Sequence, residues 1–144
     1  MENKPIKSSL QCYAFRLHPG QDLYKEIEKF VKDNNIKAGF IMTCVGSLQE
    51  INIRLANAKE FLVKKEHYEI TSLVGCISCN NRIHLHISIS DNKGNCFGGH
   101  LCNNGNIIYT TAEIVIGELK NVIFNSKKDE VSGWNELDIS NKEK

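Results

Sequence analysis

The side chains with the clearest chemistry to offer are histidines, and three of the chain's five, His84, His86 and His100, lie within strand-like sequence. From Arg82 to Ser90, one parity carries Ile83, Leu85, Ile87 and Ile89, while the other carries Arg82, His84, His86, Ser88 and Ser90. Alternate residues of a strand point to opposite faces, so the aliphatic set faces a core and the two imidazoles face away from it. Surface strands do carry histidines by chance. Two on one non-core face nevertheless weaken the usual reading of a satisfied core histidine and raise a metal site as the alternative.

The segment Asp91-Asn92-Lys93-Gly94-Asn95 reads as a hairpin with a three-residue loop, Asn92 to Gly94, in which Gly94 supplies the left-handed conformation. Asp91 then faces Asn95, and the same count sets His86 opposite His100 and His84 opposite Cys102, all on one face. Directly opposed Cβ atoms lie ~4.5–5.5 Å apart and diagonal ones ~7–8 Å, within reach of a shared ion. A two-residue turn at Lys93-Gly94 would slip the register by one and carry His100 to the other face. Three neutral imidazoles with an open fourth position describe a zinc-type site, with zinc or another divalent metal as its ion and Cys102 as the nearest further ligand. Gly98 and Gly99, just before His100, leave that surface open to close approach by a ligand or by backbone.

Other chemistry-bearing residues carry weaker signals. Glu69, in a strand of mixed parity, reads as a partner of a metal-bound group or as a solvated carboxylate. Glu113 precedes Ile114-Val115-Ile116, where a carboxylate marks a turn or an interface more often than a general base. Arg54, between Ile53 and Leu55, suits an anion site or a wet face, the latter favoured. Cys76-Ile77-Ser78-Cys79 has the spacing of half a zinc ribbon, but a second such pair is missing. The six cysteines therefore read mostly as small buried hydrophobes of a reducing compartment. No nucleophile elbow, phosphate loop or dinucleotide fingerprint occurs, and the glycines between Gly94 and Gly99 lie between strands rather than at a helix N-terminus.

The elements that must position these residues are mostly strands. Leu10 to Leu17 reads as a strand stopped by His18-Pro19-Gly20. Asp22 then caps an amphipathic helix whose apolar positions, Leu23, Ile27, Phe30 and Val31, recur until Asn34-Asn35. Strand patterns follow at Gly39 to Val45, Ile51 to Leu55, Tyr68 to Ile77, Ile83 to Ile89, Phe97 to Leu101 and Ile107 to Ile116. Short turns join them, which predicts an α+β fold: a mostly antiparallel sheet flanked by one main helix. Gly133-Trp134-Asn135-Glu136-Leu137 places two large apolar residues where a last strand or docking segment returns. A single domain over residues 1–141 and a disordered tail at 142–144 are expected.

The chain has 144 residues, 41% hydrophobic and 24% charged, with 18 Lys/Arg against 17 Asp/Glu. A formal charge of +1 excludes the strongly basic chains that bind duplex DNA through charge alone. No apolar run reaches the ~18–20 residues that cross a bilayer, and the N-terminus lacks an apolar signal core, so a cytoplasmic location without membrane partners is expected.

Several ordered segments carry a family resemblance. Arg16-Leu17-His18-Pro19-Gly20, Cys44-Val45-Gly46-Ser47-Leu48, Ile53-Arg54-Leu55, Tyr68-Glu69-Ile70 with Leu73 and Gly75, His84-Leu85-His86-Ile87-Ser88 with Asp91, Gly98-Gly99-His100-Leu101, Thr111-Ala112-Glu113 and Gly133-Trp134-Asn135-Glu136-Leu137 together resemble the plant and prokaryote conserved (PPC) domain. The resemblance implies a single α+β domain that assembles as a homotrimer. It also implies, from metal-binding bacterial and archaeal members, a histidine trio, matched here by His84, His86 and His100. Plant members join the domain to AT-hook motifs that hold the DNA minor groove, and single-domain prokaryotic members are often called DNA-binding by analogy. This chain has no Arg-Gly-Arg-Pro core, and Glu66-His67-Tyr68-Glu69-Ile70-Thr71 stands where the plant proteins have Gly-Arg-Phe-Glu-Ile-Leu.

Three functional readings follow, in order of preference. The first is a homotrimeric metal-binding module, with a small-molecule or protein ligand and a regulatory or interaction role. The second is a DNA-associated regulator, which needs a basic surface such as one built from Lys64, Lys65 and Arg82. The third is a metal-dependent hydrolase, which needs a carboxylate such as Glu69 or Glu113 at the metal-bound water.

Overall fold

A computed structural model describes residues 4–80 and 82–142. Strand β1 (Leu10–Leu17) leads into helix α1 (Leu23–Asp33), whose entry is set by Asp22. One carboxylate oxygen accepts from the N–H groups of Tyr24 and Lys25 at 3.1 and 3.2 Å, and the other from Gly105 N–H at 2.8 Å. Leu23, Ile27 and Val31 are buried, and Phe30 stacks on Phe15 with 4.3 Å between ring centroids. The helix closes at Asn34, whose side-chain amide donates to Phe30 O at 2.9 Å, and Asn35 then turns the chain at φ +50°. Because Asp22 ties the helix start to the loop before the last long strand, Asp22→Ala should cost about 1–2 kcal/mol, read as a loss of roughly 4–6 °C in melting temperature. An unchanged melting curve would show that water replaces all three bonds.

The remaining strands are β2 (Ala38–Arg54), β3 (Phe61–Lys64), β4 (Tyr68–Ser78), β5 (Ile83–Ser90), β6 (Cys96–Leu101), β7 (Ile107–Leu119), β8 (Val122–Lys128) and β9 (Asn135–Asn141). Six of them, with β1, form one seven-stranded antiparallel sheet in the order β1-β7-β2-β4-β5-β6, with β3 beside β2 and β8 and β9 set apart as a separate hairpin sheet. The α+β class and the antiparallel sheet with one helix are thus as expected. The sheet also curls back on itself: β6 leaves β5 and pairs with the end of β2, Ile53 opposite Leu101 and Arg54 opposite His100. Strands β2, β4, β5 and β6 therefore close a ring around a core that includes Leu48, Ile51, Ile77, Leu85, Ile89 and Leu101.

Three features depart from the sequence reading. Residues 38–54 form one long bulged strand rather than two, because Gly46 lets it pass Thr111 and Ala112 at a distance no side chain permits. Strands β3 and β8 lie where charge obscures the pattern. Of β8, Val122 and Phe124 are buried against Ala38, while Lys127 and Lys128 end it in solvent. The returning tail is strand β9, paired with β8 along its whole length. Lys142, read as tail, donates its N–H to Asn121 O at 2.9 Å. Residues 143 and 144 lie outside the described residues. No helix among the described residues is long and apolar enough to cross a membrane.

Glu118, 3% exposed, is the buried carboxylate of this body. Burial pushes its carboxyl up, but Lys120 at 2.9 Å, Lys37 N–H and the Tyr13 hydroxyl outweigh that and hold it below the usual range. A lowered folded pKa stabilises the fold above the unfolded carboxylate value, and that contribution disappears as pH falls through the folded value. The melting temperature of Glu118→Gln should thus fall below wild type at neutral pH and converge with it in acid. A gap that widens in acid would reverse the sign.

Candidate metal centre

The hairpin between β5 and β6 has the three-residue loop. Asp91 N–H donates to Asn95 O, its carboxylate accepts from the N–H groups of Lys93 and Asn95, and Gly94 sits at φ +81° with nothing near its missing Cβ. This puts Ser90 opposite Cys96 and, four pairs on, His86 opposite His100. Leu85, Ile87 and Ile89 point into the core; His84, His86 and His100 share the outer face. Gly98 and Gly99 serve backbone rather than ligand. A Cβ at Gly98 would meet Ile87 O at 2.2 Å, and one at Gly99 would meet Arg54 O at 2.6 Å. The pair lets β6 wedge between β5 and β2 and carries His100 to the seam.

One ligating nitrogen from each imidazole lies within 4.8 Å of the others, and the Nε2 atoms of His84 and His86 are 3.2 Å apart. Nitrogens around a tetrahedral zinc, bonded at about 2.0–2.1 Å, stand about 3.3 Å apart. The donor set therefore fits a divalent ion of that kind. Nδ1 of His100 is buried without a hydrogen-bond partner among the described residues, a costly state for a ring nitrogen. Burial, then the positive field of His84, Arg54, His86 and Arg82, holds the His100 imidazole down at about 4. Burial and Arg82 lower His84 as well. Both rings are thus neutral at physiological pH, the form that ligates metal.

Of the residues singled out from sequence, His84, His86, His100 and Arg54 come together. Cys102 does not. After His100 the chain has left β5, so Cys102 N–H bonds to Asn52 O instead of pairing with His84, and its buried thiol lies 4.0 Å from His100 O. Glu69 sits at the far end of β4, exposed, opposite Ser90 and Ser47. Glu113 is in β7 between Arg16 and Val45, away from the histidines. The carboxylate that does stand here is Glu136 of β9, whose Oε2 is 3.5 Å from Nη2 of Arg82. That same Nη2 lies 3.1 Å from Nδ1 of His84. Arg82 shares the parity of His84, a signal the sequence already carried, whereas Glu136 arrives only through pairing 50 residues downstream. Cys76 and Cys79 do not ligate: Cys79 donates to Asn125 Oδ1 at 3.0 Å, and Cys76 is half-buried beside the Ala38, Val122 and Phe124 cluster. Only Cys44 and Cys102 are buried; Cys12 and Cys96 are exposed, and Cys76 and Cys79 are half-buried.

Between the histidine face, the end of β2 and the tail hairpin lies an open cleft of about 1170 Å³, lined by Arg54, Lys59, Arg82, His84, His100, Trp134 and Glu136 among others.

This fold is that of a known domain. Residues 5–120 match the Plants and Prokaryotes Conserved (PCC) domain, and the chain belongs to that family. It is 41% identical over 131 residues, 91% of its length, to the bifunctional protein GlmU of Synechococcus sp. (strain JA-3-3Ab), though it spans only about a fifth (21%) of that relative. A hypothetical protein from Salmonella superposes with a TM-score of 0.92 at 35% identity, over 95% of this chain and 98% of its own. Two remoter structures, each 24% identical with a TM-score of 0.77, share the fold: a metal-containing protein from Archaeoglobus fulgidus, aligned over 93% of this chain and 98% of its own, and a proposed DNA-binding protein from Bacteroides thetaiotaomicron, over 91% and 96%.

Proposed function

We propose that this PCC-domain chain is a homotrimeric binding module that holds a divalent metal, zinc, through His84, His86 and His100, in a regulatory or interaction role in the cytoplasm. The observation that carries the reading is the convergence of three imidazoles on an outer face, one of them with a buried nitrogen that has no hydrogen-bond partner among the described residues. A metal-containing relative of the same fold supports it. Such an ion, when bound, supplies a Lewis-acidic position left open to a further ligand. For self-association, support comes from Met42, Val45, Phe61, Val63 and Val74, large apolar side chains exposed on β2, β3 and β4. Exposed apolar area of this kind marks contact surfaces.

The test is metal content by plasma mass spectrometry on untagged protein prepared without chelator, with molar mass by light scattering. Near one zinc per chain in a species of three chains is the expected result. Zinc-free protein after zinc is supplied, or a monomer, would remove the corresponding half of the reading. DNA binding ranks below it on a net charge of +1. A hydrolytic role would rest on Glu136, the carboxylate that borders the cleft.

A further inference from the structure

From the groups that border the histidine face, we infer that the cleft takes a phosphorylated ligand with a planar ring, of the nucleotide class, its phosphate set between the metal position and the guanidinium groups of Arg54 and Arg82. This rests on the metal reading above and names the ligand of that site.

The first argument concerns charge. Arg54, Lys59 and Arg82 line the cleft against one carboxylate, Glu136, in a chain whose overall charge is +1. A local excess of cation suits an anion, and guanidinium forks match phosphate oxygens in pairs.

The second concerns the tautomer of His84. A guanidinium only donates, so in the contact of Arg82 Nη2 with His84 Nδ1 the ring nitrogen accepts, and the ring's proton then sits on Nε2, facing Nε2 of His86 at 3.2 Å. A histidine that ligates through Nε2 must carry its proton on Nδ1 instead. Ligation by His84 therefore releases the N–H of Arg82 from the ring, beside the position a metal leaves open. Glu136, 3.5 Å away, keeps the guanidinium at the cleft. Metal loading thus frees a donor for an anion.

The third concerns Trp134. This indole, 72% exposed, lines the same cleft as His84 and His100. An open indole at the border of a cationic cleft offers a face on which a base can stack. A cleft of about 1170 Å³ has room for a phosphate and a ring together.

Trp134 is the chain's one tryptophan, so its fluorescence reports this cleft alone. The zinc-loaded full chain is titrated with AMP, adenosine and inorganic phosphate, by fluorescence and by calorimetry. AMP should quench Trp134 and bind at least about tenfold more tightly than adenosine or phosphate, and less tightly once zinc is stripped. Arg54→Met and Arg82→Met should each weaken AMP by about tenfold, the scale of a lost charge-assisted bond. Zinc bound with no AMP signal at millimolar concentration, AMP no tighter than adenosine, or full affinity in both arginine variants overturns the ligand inference and leaves the metal reading standing. A chain that takes up no zinc overturns the metal reading instead. Quenching by AMP that persists in that chain and is lost in Arg54→Met upholds the phosphate site without the ion; its absence removes both.

Discussion

In His100→Ala, zinc should no longer raise the melting temperature. An ion that binds the folded chain and not the unfolded one stabilises it by about 2.7 kcal/mol at a hundred times its dissociation constant, which is roughly 10 °C for a domain of this size. Wild type should show that rise and lose it to chelator. The variant loses one of three ligands at the seam where β6 crosses from β5 to β2, and two imidazoles on one strand make a far weaker site. Without zinc the two proteins should melt within a few degrees of each other. The ring that is removed buries a nitrogen with no partner among the described residues, so the metal-free fold gains little from keeping it. Differential scanning calorimetry with and without zinc separates the effects. An equal zinc shift in both proteins would place the ion elsewhere, whereas a variant that melts far lower even without zinc would make His100 a packing residue.

The histidine trio was legible because its signal is local. Parity along Ile83–Ser90 needs only the sequence, and the register across the hairpin needs only the loop, which Asp91, Gly94 and Asn95 settle by their own hydrogen bonds. Counting five pairs from a tight turn leaves little room for error. The same counting failed one step later, at Cys102, because β6 exchanges its partner at His100, and the exchange depends on a distant strand. Gly98 and Gly99 were seen as places of close approach. That the approaching groups are Ile87 O and Arg54 O follows from ring closure, which no local pattern encodes.

The remainder of the site is long-range for the same reason. Glu136 and Trp134 reach the cleft through a hairpin anchored by Val122 and Phe124 against Ala38, with Phe124 N–H on Lys37 O and Cys79 N–H on Phe124 O. The tail's polar composition hid that anchor. Glu69 and Glu113 were weighed as acid–base partners on residue type alone. The sheet order sets Glu69 at the wrong end of β4 and Glu113 on β7, beyond β2 and β4 from His84 and His86 and beyond β2 from His100. A carboxylate becomes a candidate by position, and position here depends on topology.

Gly75→Ala should be the most damaging single methyl in the sheet that holds the site, costing about 4 kcal/mol or more. Gly75 lies in β4 opposite Leu85 at φ +148°, and a Cβ built there would fall 1.9 Å from His84 O and 2.9 Å from Leu85 Cα. Every atom it meets is backbone, so no side chain can swing aside, and β4 and β5 must part. They would part between the pairs Cys76–His84 and Val74–His86, which set two of the three imidazoles. Gly94→Ala is the matching control. Its φ of +81° carries the ordinary penalty of a left-handed alanine, about 1 kcal/mol, but nothing lies within 4 Å of the new methyl. Urea midpoints of the two variants should therefore differ widely, and Gly75→Ala should lose zinc uptake along with stability while Gly94→Ala keeps it. Equal midpoints would mean that β4 and β5 do not approach so closely. His84 and His86 would then need another account of what holds their Nε2 atoms within reach of one ion.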